Sequence, residues 1–380
     1  MSRHGRLVAA ALAVTVAAVV GARGTSSARR RRPRPDAGPP DPATPAGESA
    51  TPTAGPAAAE RPAPEDGGPA LPALGTPADW VELLRLPALF TVPGDALAGA
   101  AAAGRAPGTR TLLAIGSSLC LYQAGMALND WADRAEDAVE RPHRPLPSGR
   151  IAPGAALAAA GALTALGLAL AARAGRPALT VAVPLAATVW AYDLGLKRNW
   201  AGPPAMAAAR GLDLALGAAA SGGRVRDAVP SAAALGVHTL AVTAVSRRET
   251  QGGSAVVPLA ALAVTSCVAY ALAPPAAALR LPADRGGAAP LGPPGLTRAA
   301  GGALRAALAL GYAATVARPL AHAVLNPSPP LTQRAVGGGI RAMIPLQAAL
   351  SARAGAPVTA VCTAALAPLA RRFGKKVSVT

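Results

Sequence analysis

An unusual concentration of carboxylates stands in the segment 129–151, NDWADRAEDAVERPHRPLPSGRI. Of the 13 acidic residues that follow residue 75, this segment holds five: Asp130, Asp133, Glu136, Asp137 and Glu140. On a helix, Asp130, Asp133 and Asp137 share one face, where like charges repel each other and require a counter-cation. Converging carboxylate oxygens without Cys favour Mg2+, which typically takes one or two carboxylates and completes its shell with water and phosphate oxygens.

Cations follow these acids directly. Arg141, His143 and Arg144 precede a stiff Pro-Leu-Pro-Ser-Gly turn. Arginines beside a metal-binding carboxylate face suit a diphosphate, because the metal and the guanidinium groups share its charge. The alternative is a solvated loop, as most charge runs are. The position of the cluster at the end of an apolar run favours the diphosphate site.

The elements that must position this cluster are apolar. The chain has 380 residues, of which 52% are hydrophobic and 15% charged, with a mean hydropathy of +0.33. Soluble domains carry about a quarter charged residues, so the composition indicates a polytopic membrane protein. The net charge of +18 lies in an Arg-rich N-terminal segment and in short breaks between apolar runs, which argues against nucleic-acid binding.

We predict three segments: residues 1–23 as an apolar signal-like sequence or tail, 24–75 as a disordered Arg/Pro/Ala-rich tail, and 76–380 as a transmembrane domain. Runs long enough to cross a bilayer predict an all-α polytopic bundle of about nine transmembrane helices. The last run is one broken helix or two short ones, and prolines 87, 93, 184, 258 and 345 are predicted to mark kinks. The runs are 83–103, 111–129, 151–172, 177–195, 203–221, 229–246, 254–279, 298–317 and 339–370.

The acidic segment also resembles a known motif. NDxxDxxxD is formed by Asn129, Asp130, Asp133 and Asp137, and ERPHRPLPSGRI follows. Together they resemble the first aspartate-rich motif of the UbiA superfamily of intramembrane prenyltransferases, over about residues 77–372. Members use Mg2+ to bind and ionise an allylic prenyl diphosphate and transfer its prenyl group to an aromatic or other acceptor. The resemblance implies that the three aspartates hold Mg2+ in catalysis, that Asn129 orients the diphosphate and that Arg144 binds it.

Further candidates lie around the later runs. Tyr192, Asp193 and Lys197, in WAYDLGLKRNW, end the fourth run, and this segment is similar to a Tyr…Lys segment of that family in which the lysine approaches the diphosphate. On their own Tyr192 and Lys197 would indicate an interfacial tyrosine and a snorkelling lysine. Arg85, before the first run, is another candidate for diphosphate binding.

Three ionisable residues are predicted at membrane depth: Asp95, Arg210 and Asp213. Ionisable groups there are costly and usually face a polar cavity or pair with each other, so these residues are candidates for the lining of a cavity that binds substrate. The competing interpretation is that Arg210 and Asp213, at i and i+3, pair on their own helix.

The sequence departs from the family after the sixth run, where members usually carry a second motif, DxxxD. Here SRRETQGG occupies 246–253, so Glu249 is the one carboxylate and stands beside Arg247 and Arg248. Either these three residues neutralise and help to activate a diphosphate with fewer metal ions, or the site has lost turnover. With GIRAMIPLQAAL at 339–350, the replacement resembles a branch found with bacterial ebo-type gene clusters.

The sequence therefore predicts a multi-pass protein of a bacterial-type cytoplasmic membrane. Its predicted activity is Mg2+-dependent prenyl transfer from a prenyl diphosphate to an unidentified acceptor within the lipid bilayer. Two alternatives remain: a non-catalytic isoprenoid-lipid binder or transporter, and a polyprenyl-phosphate group transferase with a polar acceptor. The sequence contains no GxSxG motif, P-loop or zinc spacing.

Overall fold

The computed structural model describes residues 73–247, 254–275 and 293–377. Segment 1–23, most of segment 24–75, Arg248 and Glu249 lie outside these residues. Within the described ranges every regular element is helical, apart from one isolated antiparallel bridge between Leu74 and Ile151. The predicted all-α class is confirmed.

The described helices include five that are long and apolar enough to cross a membrane: α3, α5, α6, α8 and, over Ala299–Leu325, α10. The apolar segments Leu89–Ala102 and Val256–Leu272 are shorter. With α7 and α11 these elements correspond to the nine predicted runs. The helices are α1 Pro77–Leu83, α2 Val92–Ala102, α3 Thr109–Ala132, α4 Arg134–Glu140, α5 Pro153–Ala174, α6 Arg176–Leu194, α7 Gly202–Ala220, α8 Val225–Ser246, α9 Val256–Leu272, α10 Pro293–Leu325, α11 Pro329–Arg353, α12 Pro357–Ala364 and α13 Leu366–Val377.

Two of the predicted boundaries were wrong. The first run is not one kinked helix, because a 3-10 helix, Leu86–Thr91, precedes α2 and Pro87 and Pro93 stand in the first turns of these two helices. Proline fits a first turn because its missing N–H has no helical acceptor there. The last run does not begin at 339, since α11 begins ten residues earlier at Pro329. Helix α11 ends at Arg353, and the two short helices α12 and α13 follow it.

Small residues set the distance between α2 and α7. A Cβ atom on Gly217 would overlap the backbone of Ala96, and one on Gly99 would overlap the carbonyl of Leu214. The two helices therefore cross with their backbones in contact, as small residues permit in membrane bundles. This crossing brings Asp95 of α2 to the side of α7 that carries Arg210.

Consecutive long helices alternate in direction, so one end of the bundle collects the C-terminal ends of α3, α6, α8 and α10. The N-terminal ends of α5, α7, α9 and α11 lie at the same end. We call it the cap end. The acidic segment that follows α3 and the lysine segment that follows α6 therefore meet there.

Candidate functional site

The end of α3 presents the acidic motif. Asp133 closes α3, and its N–H donates to the carbonyl of Asn129 at 3.0 Å, while the N–H of Asp137 donates to the carbonyl of Asp133 at 2.8 Å. The predicted continuous helix is therefore interrupted at Asp133, between α3 and α4, but the hydrogen-bonded register passes through the break. Asp130, Asp133 and Asp137 consequently stay on successive turns.

Asp130 and Asp137 converge on one arginine. Both carboxylates are buried, with 5% and 3% of each residue exposed. The Nη1 atom of Arg144 lies 2.7 Å from Asp137 Oδ2 and 3.6 Å from Asp130 Oδ1. Asp130 Oδ1 also accepts a hydrogen bond from Arg85 Nη2 at 2.7 Å, and Arg141 Nη1 lies 3.7 Å from Asp137 Oδ1. Arg85 and Arg144, both predicted diphosphate ligands, thus lie together at the start of the acidic motif.

Asp133 turns the other way, towards α6. Its Oδ2 atom accepts from Lys197 Nζ at 2.8 Å, and the same ammonium lies 3.8 Å from Asp193 Oδ1. The Asn129 amide donates to Asp193 at 3.1 Å, and Arg198 lies 3.4 Å from Asp133. One cation thus stands between a carboxylate that follows α3 and a carboxylate of α6.

The carboxylates of the cap end stand in two pairs, and a joint role of Asp130, Asp133 and Asp137 in holding Mg2+ stays a prediction. Among the described residues, no three His, Cys, Asp or Glu side chains converge as a metal cluster. Asp130 pairs with Asp137 and Asp133 pairs with Asp193, each pair around one basic side chain. A pair of carboxylates is what Mg2+ usually takes when phosphate oxygens fill its other positions. The donor set therefore suits Mg2+, and Asp193 is a further candidate ligand.

A cavity of about 280 Å³ opens below these groups, between α3, α6 and α7. Asn129 and Tyr192 line it near the cap end, whereas Ser118 stands 11 residues earlier on α3, or about 16 Å deeper at 1.5 Å per residue. The lining residues are Arg85, Ser118, Leu121, Tyr122, Gly125, Met126, Asn129, Leu185, Val189, Tyr192, Asp193, Met206, Ala209, Arg210 and Asp213. The cavity therefore joins the charged cap to the middle of the bundle.

The deep end of the cavity holds a buried polar network. Arg210 pairs with Asp95 of α2 at 2.9 Å, and Asp213 accepts a hydrogen bond from Ser118. Arg210 forms its ion pair with Asp95 of α2 rather than with Asp213 of its own helix, although its charge also acts on Asp213. Asp95, with 0% of the residue exposed, stands behind Arg210 instead of lining the cavity, and Gln347 donates to it at 2.6 Å.

The loop that follows α4 is fastened to α1. Arg150 pairs with Asp79, lies 3.0 Å from Glu82 Oε2 and donates to the carbonyl of His143 at 2.7 Å. Hydrogen bonds from Thr76 lower the pKa of the Asp79 carboxyl, and Arg150 lowers it further. The loop that carries the arginines of the acidic motif is therefore fixed at both ends.

The segment after α8 reaches the cap end through Arg247. Its Nη1 atom donates to the carbonyl of Asn199 and lies 3.4 Å from the carbonyl of Lys197. Arg247 therefore holds the lysine segment, whereas Arg248 and Glu249 lie outside the described residues. A direct contact of these three residues with diphosphate stays a prediction.

The sequence assigns no role to three functional candidates: Asp193, which it places beside Tyr192 and Lys197, and Ser118 and Gln347, which it does not single out. Asp193 carried a local signal, because it stands four residues before Lys197 on α6 and the two side chains approach each other. Gln347 gave none, since its partner Asp95 is 252 residues away along the chain. A single serine in an apolar helix, such as Ser118, likewise gives no signal of a functional role in the sequence.

Comparison with known proteins places these features in a family. Residues 89–320 match the model of the UbiA prenyltransferase family. The digeranylgeranylglyceryl phosphate synthase of Methanothrix thermoacetophila is 52% identical over 46 residues, which cover 12% of this chain and 17% of that protein. This chain thus aligns with less than a fifth of the length of that relative.

A solved structure shows the same fold, and a second serves for comparison. A UbiA homolog from Aeropyrum pernix K1 has a TM-score of 0.51 and 19% identity, covering 69% of this chain and 96% of that one. A UbiA homolog from Archaeoglobus fulgidus, bound to DMAPP and Mg2+, has a TM-score of 0.48 and 19% identity, covering 70% and 99%. The resemblance to the ebo-type branch stays a prediction. Because the family model matches more than half of its length, the chain belongs to the UbiA prenyltransferase family of integral membrane proteins.

Proposed function

We propose that this protein transfers a prenyl group, with Mg2+, from an allylic prenyl diphosphate to an aromatic or other small acceptor within a bacterial-type cytoplasmic membrane. The observation that carries the proposal is the cavity of about 280 Å³ that runs from paired carboxylates and cations at the cap end into the bundle. One end of this cavity suits a diphosphate and the other an apolar chain. A prenyl diphosphate combines the two.

The diphosphate would bind among the cations of the cap. Arg85, Arg144 and Lys197 already meet there, each beside a carboxylate. Mg2+ held by Asp133 with Asp193, or by Asp130 with Asp137, would neutralise charge on the diphosphate and stabilise it as a leaving group. The basic side chains would then move from carboxylate to phosphate oxygens, where Arg forms paired charge-assisted hydrogen bonds.

The chemistry follows from where charge develops. When the bond between the allylic carbon and the diphosphate oxygen breaks, its electron pair stays on the diphosphate. Fixed cations at the cap stabilise that charge more in the transition state than in the ground state. The acceptor then forms its bond to the allylic carbon and loses a proton.

The walls of the cavity would hold the prenyl chain. Leu121, Met126, Leu185, Val189 and Met206 form an apolar lining between the cap and the deep polar network. Such walls exclude water from an allylic cation until the acceptor attacks. Among the deep groups, Ser118 and Asp213 are the candidates for contact with a polar part of the acceptor.

The proposal is tested by comparing binding with turnover. The protein is purified in detergent and supplied with geranyl, farnesyl or geranylgeranyl diphosphate, a cell-extract acceptor fraction, and either Mg2+ or a chelator. We expect inorganic diphosphate to be released only with Mg2+ and the prenyl group to appear on an acceptor. Binding without release would support the isoprenoid-lipid binder instead. Release of a phosphorylated polar product would support the group transferase.

A further inference from the structure

A second cavity, of about 210 Å³, lies between α10 and α11 and shares no residue with the first. We call it the basic groove; its lining residues are Arg318, Pro319, His322, Leu331, Arg334 and Arg341. Three arginines and a histidine thus face one cavity that no carboxylate lines. Such a lining repels cations and attracts anions.

The arginines of the groove differ from those of the candidate site in lacking protein partners. Arg318, Arg334 and Arg341 are exposed. Throughout the described part of the chain, none of them has an ion pair or a hydrogen bond to another side chain or to the backbone. Arg144 and Arg210, in contrast, each contact a carboxylate. The charge of the groove is therefore available to a ligand.

The groove lies near the cap end of the bundle, between the last turns of α10 and the first half of α11. Arg318 stands seven residues before the end of α10 at Leu325, or about 10 Å from it at 1.5 Å per residue. Arg341 stands twelve residues after the start of α11 at Pro329, or about 18 Å from it. An exposed arginine on a helix of a membrane bundle is costly wherever it meets hydrocarbon, unless an anion or water accompanies it.

Two glycines shape the groove. A Cβ atom on Gly338 would lie 3.0 Å from Pro319 Cγ, so α10 and α11 approach closely at this point. A Cβ atom on Gly337 would lie 3.2 Å from Arg341 Nη1, so the guanidinium folds back along α11 over Gly337. Because Gly337 precedes Arg341 on a helix that starts at the cap end, the side chain points towards the membrane surface, as a snorkelling arginine does.

We propose that the basic groove binds the phosphate headgroup of an anionic phospholipid from the surrounding bilayer. Basic pockets between transmembrane helices bind such headgroups, and guanidinium groups form paired hydrogen bonds with phosphate oxygens. The same two helices expose large apolar side chains on which acyl chains can lie: Leu310, Leu325 and Ile340. The inference stands apart from the proposed prenyl transfer, because its residues are not those of the candidate site.

The test measures binding of a fluorescent phosphatidylglycerol to the full chain in detergent, with phosphatidylcholine as the uncharged comparison. The double variant R334Q/R341Q is expected to bind phosphatidylglycerol about 25-fold more weakly, from about fivefold for each arginine. The matched control R173Q/R176Q removes two exposed arginines from the opposite end of the bundle and is expected to bind as the parent does. The single variant R318Q should give a partial loss, and all variants should keep the melting temperature of the parent.

Competition separates the possible anions. Excess phosphatidylglycerol should displace the probe, whereas equal concentrations of inorganic phosphate or farnesyl diphosphate should not. The inference would be overturned if R173Q/R176Q lost as much phosphatidylglycerol binding as R334Q/R341Q, or if the parent bound phosphatidylcholine as tightly as phosphatidylglycerol. Displacement by inorganic phosphate would show a site for free anions, and displacement by farnesyl diphosphate would show a second substrate site. Either result would contradict a lipid headgroup site.

Discussion

The ion pair between Asp95 and Arg210 offers a quantitative test of how the bundle is held together. Arg210 Nη1 lies 2.9 Å from Asp95 Oδ2, and Asp95 is 0% exposed. The variant R210L leaves the Asp95 carboxylate buried beside Asp213, with the Gln347 amide as a hydrogen-bond donor. Removing one partner of a buried pair typically costs about 3–5 kcal/mol, because the other charge stays buried without its counter-ion. We expect the free energy of unfolding to fall by about that amount.

A double-mutant cycle isolates the pair. In D95N/R210L neither charge of the pair is left alone. The double variant should therefore lose less unfolding free energy than the sum of the two single variants, by about 2 kcal/mol, which is within the range of coupling energies for contacting groups. Unfolding is followed by far-ultraviolet circular dichroism as sodium dodecyl sulfate is added to detergent micelles. R173L, which removes an exposed arginine from α5, is the matched control.

The ion pair would not stabilise the bundle if R210L lost no more stability than R173L, or if the losses of D95N and R210L simply added. Either result would mean that Asp95 finds other compensation, and that the close crossing of α2 and α7 does not depend on its charges.

Three further results are expected. K197M should lower the rate of diphosphate release about a hundredfold, the lower end of the usual range for one charge-stabilising group, while K197R retains more of the rate. The release assay above measures both. G217V should yield little folded protein, since its side chain would overlap the α2 backbone. G161V, whose Cβ meets open space, should yield as much as the parent. The yield of folded protein is measured after detergent extraction and size fractionation. Hydrogen bonds from Thr76 lower the pKa of the Asp79 carboxyl. The ionised carboxylate therefore stabilises the folded state above its ordinary pKa of about 3.9, and this stabilisation is lost as the pH falls through the lowered pKa. D79N should therefore remove that part of the acid dependence of the melting temperature.

The candidate site was predictable where its signal was local. The spacing of Asp130, Asp133 and Asp137 follows helical periodicity, and the structure keeps these residues on successive turns at the end of an apolar helix. The place of Lys197 just after an apolar run indicates only a snorkelling lysine, and the resemblance to the family's Tyr…Lys segment made it a candidate. Such features depend on neighbours within a few residues, which periodicity alone describes.

Pairings between distant helices were not predictable in the same way. Asp133 pairs with Lys197 across 64 residues, and Arg85 reaches Asp130 across 45. The division of the aspartates into two pairs depends on where α6 ends, because that end supplies Asp193. These contacts follow from helix packing, which small residues such as Gly217 determine through backbone approach rather than through any pattern in the acidic motif.

The central claim is that the carboxylates at the cap end support cleavage of a prenyl diphosphate, and one matched pair of variants tests it most directly. D133N removes a charge that contacts Lys197 at 2.8 Å, whereas E136Q removes an exposed charge three residues later in the same segment. Mg2+-dependent diphosphate release is measured for both at equal amounts of folded protein. We predict that D133N lowers the rate of diphosphate release at least a hundredfold, as the loss of a strong electrostatic group does. E136Q should keep the rate of the parent. Equal activity in D133N and the parent would contradict the claim.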